Sequence, residues 1–347
     1  MPIPPRLAAI ATAVPPHRID QHDVAGRARR LFPNAADAVE RLLPVYGHAG
    51  VETRFSCVPP DWYEQPHGWS EKNRLYLENA VELLEQASHE CFEKSGLGPG
   101  DIDAVIAVST TGIATPSLDA LLIERLGLRP DTDRLPIFGL GCGGGVLGLG
   151  RAATLAAGQP GTNVLLCVVE LCGLTFRRAD LSKGNMVATA LFGDGAAAAI
   201  VSTAAEGPAI GRTGQYTWPQ SLDVMGWTVE EDGLGVIFSR DIPDLTRREF
   251  RRAASEFLAR DGHGFGDVDC FVCHPGGAKV LDALEDAFER PRGSLAISRD
   301  VLRDYGNMSA ATVLFVLERV LAAQTKGFCF LSALGPGFTA AFLQMRA

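Results

Sequence analysis

The sequence predicts an α/β protein built from two related halves, and three observations carry that reading. The segment Gly100-Asp101-Ile102-Asp103-Ala104-Val105-Ile106 returns as Gly266-Asp267-Val268-Asp269-Cys270-Phe271-Val272, each a Gly-Asp turn feeding an apolar run that reads as a buried strand. Strand-like and helix-like segments alternate along the chain, which is the pattern of α/β architecture. Strands such as Val164 to Val169 are apolar throughout, as expected where a sheet is covered on both faces. The self-similarity divides the chain into 1–205 and 206–347, with the boundary in the stretch from Thr203 to Gly211.

The elements follow in order. Leu7 to Val14 reads as an opening strand: it follows Arg6 as a secretory leader would, but Pro4, Pro5, Pro15 and Pro16 bracket it. Leu77, Ala80, Leu84, Ala87 and Cys91 recur at helical spacing, and Gly96 stops that helix. Arg248 to Ala259 precedes the second Gly-Asp copy in the same way. Downstream of each copy a glycine-bearing turn, Gly141-Cys142-Gly143 or Tyr305-Gly306-Asn307, opens an Ala- and Leu-rich helix, the second expected from Met308 to Ala323. Each half closes on a glycine turn and a small-residue strand: Phe192-Gly193-Asp194-Gly195-Ala196 through Val201, and Gly335-Pro336-Gly337 through Phe342. Two such halves packed together bury helices between two sheets and bring the equivalent helix starts, with Cys142 and Asn307, to one shared site.

Composition narrows the function classes. A chain of 347 residues exceeds one small module, and 46% hydrophobic with 21% charged residues supplies a large core. The net charge of -9 repels phosphate backbones and anionic lipid, so nucleic acid is not an expected partner. No apolar run approaches the roughly 20 residues that span a bilayer. Eight cysteines in a long chain without a leader are expected to be free thiols in a reducing cytoplasm.

Cys142 stands in Gly139-Leu140-Gly141-Cys142-Gly143-Gly144-Gly145, between a predicted strand and a predicted helix. A cysteine is commonly a small buried hydrophobe. Here the helix start offers unpaired N–H groups that favour thiolate, and the glycines admit a bulky substrate to the backbone. The same run fits G-x-G-x-x-G through Gly139, Gly141 and Gly144, with Glu170 as the ribose-binding acid of an NAD-dependent oxidoreductase, but that reading gives the sulfur no role and leaves the second half unexplained. Cys270-Phe271-Val272-Cys273-His274 matches the haem-attachment pattern, yet it lies in a predicted buried strand, where the cysteines read as core.

His274 then emerges at the strand end before Pro275-Gly276-Gly277; of seven histidines it alone occupies a glycine-rich turn of this kind. Asn307 suits a helix cap, or, joined to Cys142 and His274, completes a set for acyl transfer: a thiolate attacks, an imidazole partners it, and His and Asn donors stabilise a developing oxyanion.

The chain resembles the type III polyketide synthases, the chalcone synthase superfamily within the thiolase fold. The resemblance rests on Gly141-Cys142, Leu191 to Ala198, His274-Pro275-Gly276-Gly277, Tyr305-Gly306-Asn307-Met308-Ser309 and Gly335-Pro336-Gly337-Phe338-Thr339, in the family's order, and covers nearly the whole chain. It implies a homodimer of thiolase-like duplicated αβαβα subunits that uses acyl-CoA and malonyl-CoA directly, without carrier protein, cofactor or metal. By resemblance, Cys142 carries the starter and growing chain, and His274 and Asn307 stabilise the enolate left when malonyl-CoA loses carbon dioxide. Phe192 matches a gatekeeping phenylalanine. Gly276, Gly277, Gly335 and Gly337 line the substrate site, and Arg41, Arg54 and Lys279 lie near the tunnel mouth, where CoA phosphates need cations.

Two departures bear on substrate. With Asp241-Ile242-Pro243 as the register, Val236 replaces the family's second gating phenylalanine, and Phe238 lies two residues on. Cys172 stands where plant chalcone synthases carry threonine, a pattern similar to bacterial alkylpyrone and alkylresorcinol synthases, and the small Gly173 beside it is expected to leave room for a tunnel. The resulting expectation is a fatty acyl starter extended with malonyl-CoA and cyclised to an alkylpyrone or resorcinol. The alternative is a ketoacyl synthase III-like single condensation onto a carrier-bound malonyl group.

Overall fold

The computed structural model describes residues 3–32, 36–239 and 241–347. The chain opens on β1 (Arg6–Ala13) and β2 (His17–Asp20), passes through helices α1 (Gln21–Leu31) and α2 (Ala36–His48), and returns as β3 (Thr53–Ser56), antiparallel to β2. Helix α3 (Trp69–Ser95) stops where Gly96 adopts φ 71°, a left-handed conformation that costs glycine no Cβ clash. Then come β4 (Ala104–Val108), α4 (Leu118–Leu126), β5 (Asp133–Ile137), α5 (Gly144–Gly158), β6 (Asn163–Leu171), α6 (Lys183–Leu191) and β7 (Asp194–Ser202).

The chain continues as β8 (Ala209–Thr217) and a hairpin of β9 (Met225–Glu230) and β10 (Gly233–Phe238). Helix α7 (Ile242–Leu245) runs through a π turn at Thr246–Phe250 into α8 (Arg251–Ala259). This helical stretch starts earlier than the sequence pattern suggested, because Pro243 sits in its first turn, where a missing N–H costs nothing. After it come β11 (Cys270–Cys273), α9 (Ala278–Ala287), α10 (Ala296–Tyr305), α11 (Thr312–Ala322), β12 (Phe328–Gly335) and β13 (Thr339–Arg346). The expected helix from Met308 is instead a 3-10 turn, Ser309–Ala311, followed by α11. The Thr312 hydroxyl accepts the Met308 N–H and donates to the Ser309 carbonyl, which tightens that first turn.

Nine strands form one ladder in the order β11-β12-β13-β8-β1-β7-β6-β4-β5. Strands β1 and β8 meet through the single pair Arg6 and Ala209, so the ladder is two sheets joined at an edge. The pairings repeat: β4 with β6 is parallel and β6 with β7 and β7 with β1 are antiparallel, just as β11 with β12 is parallel and β12 with β13 and β13 with β8 are antiparallel. Alternate residues of each strand point to opposite faces. Ile106, Val108, Leu166 and Val168 of one sheet and Leu331 and Leu343 of the other pack on Leu149 of α5 and Val313 and Leu317 of α11. Val105, Leu165 and Val169 face outward onto Leu84, Cys91 and Leu122 of α3 and α4. Phe330 and Phe342 face outward onto Phe257, Leu281 and Leu284 of α8 and α9. The layers are therefore α, β, α, β, α, with α5 and α11 in the middle.

Candidate active site

The two central helices begin side by side. A Cβ on Gly145 would lie 2.3 Å from the Ala310 carbonyl oxygen, and one on Gly144 would lie 2.7 Å from Val108 Cγ1 and 3.1 Å from the Ala310 methyl. Only glycine lets the start of α5 approach the turn before α11 so closely. This contact explains the glycine run: Gly144 packs helix against turn and strand, and Gly141, at φ 45°, turns the chain against Pro336. Neither serves a pyrophosphate.

Cys142 lies in the 3-10 turn Gly141–Gly143 that leads into α5. It keeps part of its surface free because it lines a cavity, yet desolvation pushes its thiol up to about 12. The field of the helix start is therefore outweighed by burial, and Cys142 rests as a thiol. His274 follows β11, its backbone N–H held by the Ser332 carbonyl at 2.8 Å. Its ring is 4% exposed, neither ring nitrogen has a protein partner, and burial pulls its pKa down to about 3. The imidazole is neutral, with one N–H to give and one lone pair to receive.

Asn307 is fixed by its backbone, whose N–H donates to Leu191 and whose carbonyl accepts from Gly193. Its Oδ1 accepts the Ser309 N–H at 2.8 Å, and its Nδ2 faces the Gly276 carbonyl at 3.3 Å. The cap and the donor are thus two ends of one amide. Cys142, His274, Asn307 and Gly276 line one cavity with Met225 and Phe238.

Two residues beside Cys142 have a place that the sequence reading did not give them. The Cys142 sulfur lies 3.6 Å from the Ser309 hydroxyl, which donates at 3.3 Å to Glu170 Oε1. Glu170 is wholly buried; its Oε2 accepts the Thr110 N–H at 3.0 Å and the Thr111 hydroxyl at 2.9 Å. Desolvation lifts its pKa to about 7. These contacts leave no place for a ribose, which with the glycine packing corrects the dinucleotide reading. The sequence signal was present: a carboxylate ending an otherwise apolar strand, opposite Ser109-Thr110-Thr111. Cys270 pairs in register with Cys329, and Cys273 accepts the Ser332 hydroxyl at 3.4 Å, so both cysteines belong to the strand core.

A second, larger chamber lies behind Phe192. Together with Phe192 its lining includes Cys172, Gly173, Val236, Phe176 and Leu31, around about 740 Å³ of atom-free space, solvent at its mouth included. It abuts the first cavity, since Phe192 and Asn307 are bridged and Gly193 donates to Asn307 at 3.1 Å. Phe192 meets Trp227 edge to face, with centroids 6.3 Å apart. The expected room beside Gly173 is not there: a Cβ would lie 2.3 Å from the Tyr63 hydroxyl and 3.1 Å from Asp194. Gly173 gives room to Tyr63, and the open space lies further on.

The remaining expected site residues separate. Arg54 is 5% exposed, and its guanidinium donates to the carbonyls of Thr189, Ala190 and Phe192 and to Gln21. It is committed to the segment that carries Phe192 and is not available to a CoA phosphate, contrary to expectation. Arg41 on α2 and Lys279 in the first turn of α9 are exposed. Gly277, at φ 156°, packs on Leu191; a Cβ on Gly335 would meet the Leu140 carbonyl at 2.6 Å; Gly337 turns at φ 90°. These three glycines shape the walls without lining either cavity. Among the described residues no cluster of His, Cys, Asp and Glu is placed to hold a metal ion, and no helix is long and apolar enough to cross a membrane.

Comparison with known proteins agrees with this geometry. Sequence models of the chalcone and stilbene synthases match residues 60–205 with the N-terminal domain and 210–347 with the C-terminal domain. A putative chalcone synthase of Bacillus subtilis (strain 168) is 36% identical over 354 residues, 97% of each chain. A 1,3,6,8-tetrahydroxynaphthalene synthase of Streptomyces peucetius subsp. caesius is 39% identical over 351 residues, 98% of this chain and 92% of that one. The solved 1,3,6,8-tetrahydroxynaphthalene synthase of Streptomyces coelicolor A3(2), a bacterial type III polyketide synthase, superposes with a TM-score of 0.92 at 29% identity, covering 98% of this chain and 99% of that one. PKS-I of the brown alga Ectocarpus siliculosus superposes with a TM-score of 0.95 at 24% identity, covering 100% and 99%, and shares the fold.

Glu170 supplies a test of the buried network. Its folded pKa of about 7 lies above the ordinary 4.5, so folding favours the protonated form. Its contribution is full below the unfolded value and is lost as pH rises through 7, a change of roughly 3 kcal/mol. Urea denaturation of wild type and Glu170→Gln from pH 4.5 to 8 should show wild type losing stability relative to the variant across that window. Parallel curves would refute the buried, proton-holding carboxyl.

Proposed function

Because the chain belongs to the chalcone and stilbene synthase family, we propose that it extends an alkyl starter, held as a thioester on Cys142, with units from malonyl-CoA and releases a cyclised alkylpyrone or resorcinol. Members of this family, the type III polyketide synthases, are condensing acyltransferases that use CoA thioesters and need no cofactor. What the proposal adds is the assignment of residues and the choice of starter.

The Cys142 sulfur attacks the acyl-CoA carbonyl, the C–S bond to CoA breaks, and the thiol proton leaves with the CoA thiolate. Malonyl-CoA then loses carbon dioxide, and the electron pair of the broken C–C bond becomes an enolate. The Asn307 amide and the neutral His274 N–H are the donors for that oxygen. The enolate carbon attacks the Cys142 thioester, the new C–C bond forms, and the cysteine leaves as thiolate, free to take up the extended chain. The observation that carries this reading is the His274 ring: buried, without a protein partner on either nitrogen, in one cavity with Cys142 and Asn307. An imidazole in that state is costly unless a ligand completes it.

The alkyl starter is supported by the apolar chamber behind Phe192 and by Val236 at its wall. The Streptomyces peucetius relative's name suggests the competing product, 1,3,6,8-tetrahydroxynaphthalene, which carries no alkyl arm. We further propose that the division at 1–205 and 206–347 is a duplication, that the chain works as a cytoplasmic homodimer, and that Arg41 and Lys279 hold CoA phosphates.

Cys142→Ala should abolish covalent acyl loading, read by mass, while Cys270→Ala and Cys273→Ala retain it; label persisting on Cys142→Ala would displace the nucleophile. Asn307→Ala should slow malonyl-CoA decarboxylation roughly 10²–10³-fold, the loss of one oxyanion donor at about 2.7–4 kcal/mol, and spare loading better. A variant that melts earlier yet turns over normally would leave Asn307 only its cap.

Across a ladder of acyl-CoAs, preference should rise up to about fourfold per methylene until the chamber is full, and Cys172→Phe should move the optimum to short starters with decarboxylation intact. Product from malonyl-CoA alone, with no gain from any alkyl starter, would favour the naphthalene product. Charge reversal at Arg41 or Lys279 should raise KM for both thioesters and flatten its salt dependence; constants unchanged at low salt would remove these residues from the site.

A further inference from the structure

The chamber behind Phe192 ends against helix α1 and the 3-10 turn Pro60–Glu64, which together supply Val24, Arg27, Leu31, Pro60 and Tyr63 to its lining. Three described lining residues carry charged groups. Arg54 and Asp194 are buried, at 5% and 0% exposure, whereas the Arg27 side chain is 26% exposed and so spans the wall from chamber to solvent. Arg27 donates to both Asp61 and Glu64 of the turn, and Arg30 joins Glu64 at 3.0 Å. Elsewhere its lining comes from β3, α6 and the segments around Cys172 and Asp194. At this end Arg27 lines the chamber, is partly exposed and is held by ion pairs.

We propose that Arg27 is a specificity-determining residue that closes the outer end of the chamber and sets the longest alkyl chain it accepts. The proposal rests on the reading of the chamber as the seat of the starter's alkyl arm. Up to the wall each methylene exchanges water for apolar lining. The first methylene beyond it meets the Arg27 stem, and must displace that side chain from two carboxylates to go further. Partly exposed ion pairs of this kind are individually weak, so the barrier is bulk held in place by charge, and removing either component opens it.

Two measurements test this, and one of them does not depend on the starter. Cys172 lines the chamber and is 2% exposed. In a Cys142→Ala background, Arg27→Ala should let N-ethylmaleimide label Cys172 several-fold faster than the same background with Arg27 intact, read by peptide mass. Asp61→Asn with Glu64→Gln, which frees Arg27 without removing any bulk, should accelerate labelling in the same direction and covers the case in which Arg27→Ala folds poorly. On the acyl-CoA ladder, with Cys142 present, Arg27→Ala should load longer chains than wild type and load short chains at the wild-type rate. Unchanged Cys172 labelling in both variants overturns the closure by Arg27, and an unchanged chain-length limit overturns its role in specificity. A wild-type enzyme that loads no alkyl starter of any length would instead remove the underlying reading of the chamber, a result the labelling rates do not affect.

Discussion

The contact between the start of α5 and the turn before α11 is the constraint on which the rest of the site depends. With the Gly145 position 2.3 Å from the Ala310 oxygen for any added Cβ, two helices from opposite halves of the chain begin at nearly the same point. Each helix start carries one of the residues assigned to the chemistry, Cys142 before the first and Asn307 before the second. The pairing of Asn307 with Leu191 and Gly193 then ties the second helix start to the first half of the chain. A duplicated fold with bulkier residues here would keep its two sheets and lose the convergence, because the central layer could not close. The glycines that resemble a nucleotide fingerprint are the price of that closure.

Burial at the point of convergence sets the charge state of everything near it. The Cys142 thiol is pushed up to about 12 and the His274 imidazole down to about 3 by the same cause, loss of water. The unliganded pair is therefore neutral on both sides, and no ion pair must be broken for a thioester to enter. Glu170, lifted to about 7, borders the pair through Ser309 and stays near its own titration point. The buried Arg54 is the contrasting case: its charge is solvated by three backbone carbonyls and Gln21, and what it stabilises is the C-terminal end of α6, which presents Phe192.

Much of this was legible in the sequence because it depends on local rules. Wholly apolar runs gave β6 and β7, Gly96 gave a helix end, and glycine turns at element boundaries singled out Cys142, His274 and Asn307. What was not legible depends on neighbours distant in the chain. Arg54 was itself expected near the CoA mouth, but the pairing of β3 with β2 alternates Arg54 and Ser56 inward. Gly173 suggested open space until Tyr63, from a different segment, filled it. Glu170 owes its raised pKa to burial, against the opposing pull of the Thr110 N–H and Thr111 hydroxyl, donors about sixty residues earlier in the chain.

The hairpin of β9 and β10 stands outside the nine-stranded ladder, yet it touches both cavities. Met225 and Phe238 line the cavity of Cys142, Val236 lines the larger chamber, and Trp227 meets Phe192. Its tip is held from a third direction: Arg177 pairs with Asp232, and the buried Lys72 ammonium donates to the carbonyls of Phe176 at 2.7 Å and Asp232 at 3.1 Å. The groups assigned to bond making therefore sit on the glycine-packed centre of the two sheets, while Val236, Met225 and Phe238 reach the cavities from a two-stranded arm pinned at its tip. Substitutions on that arm change the shape of the chamber without disturbing the helix-start contact, since the arm shares no backbone hydrogen bond of the main ladder. That separation leaves the shape of the cavity walls free to vary while the helix-start contact stays fixed.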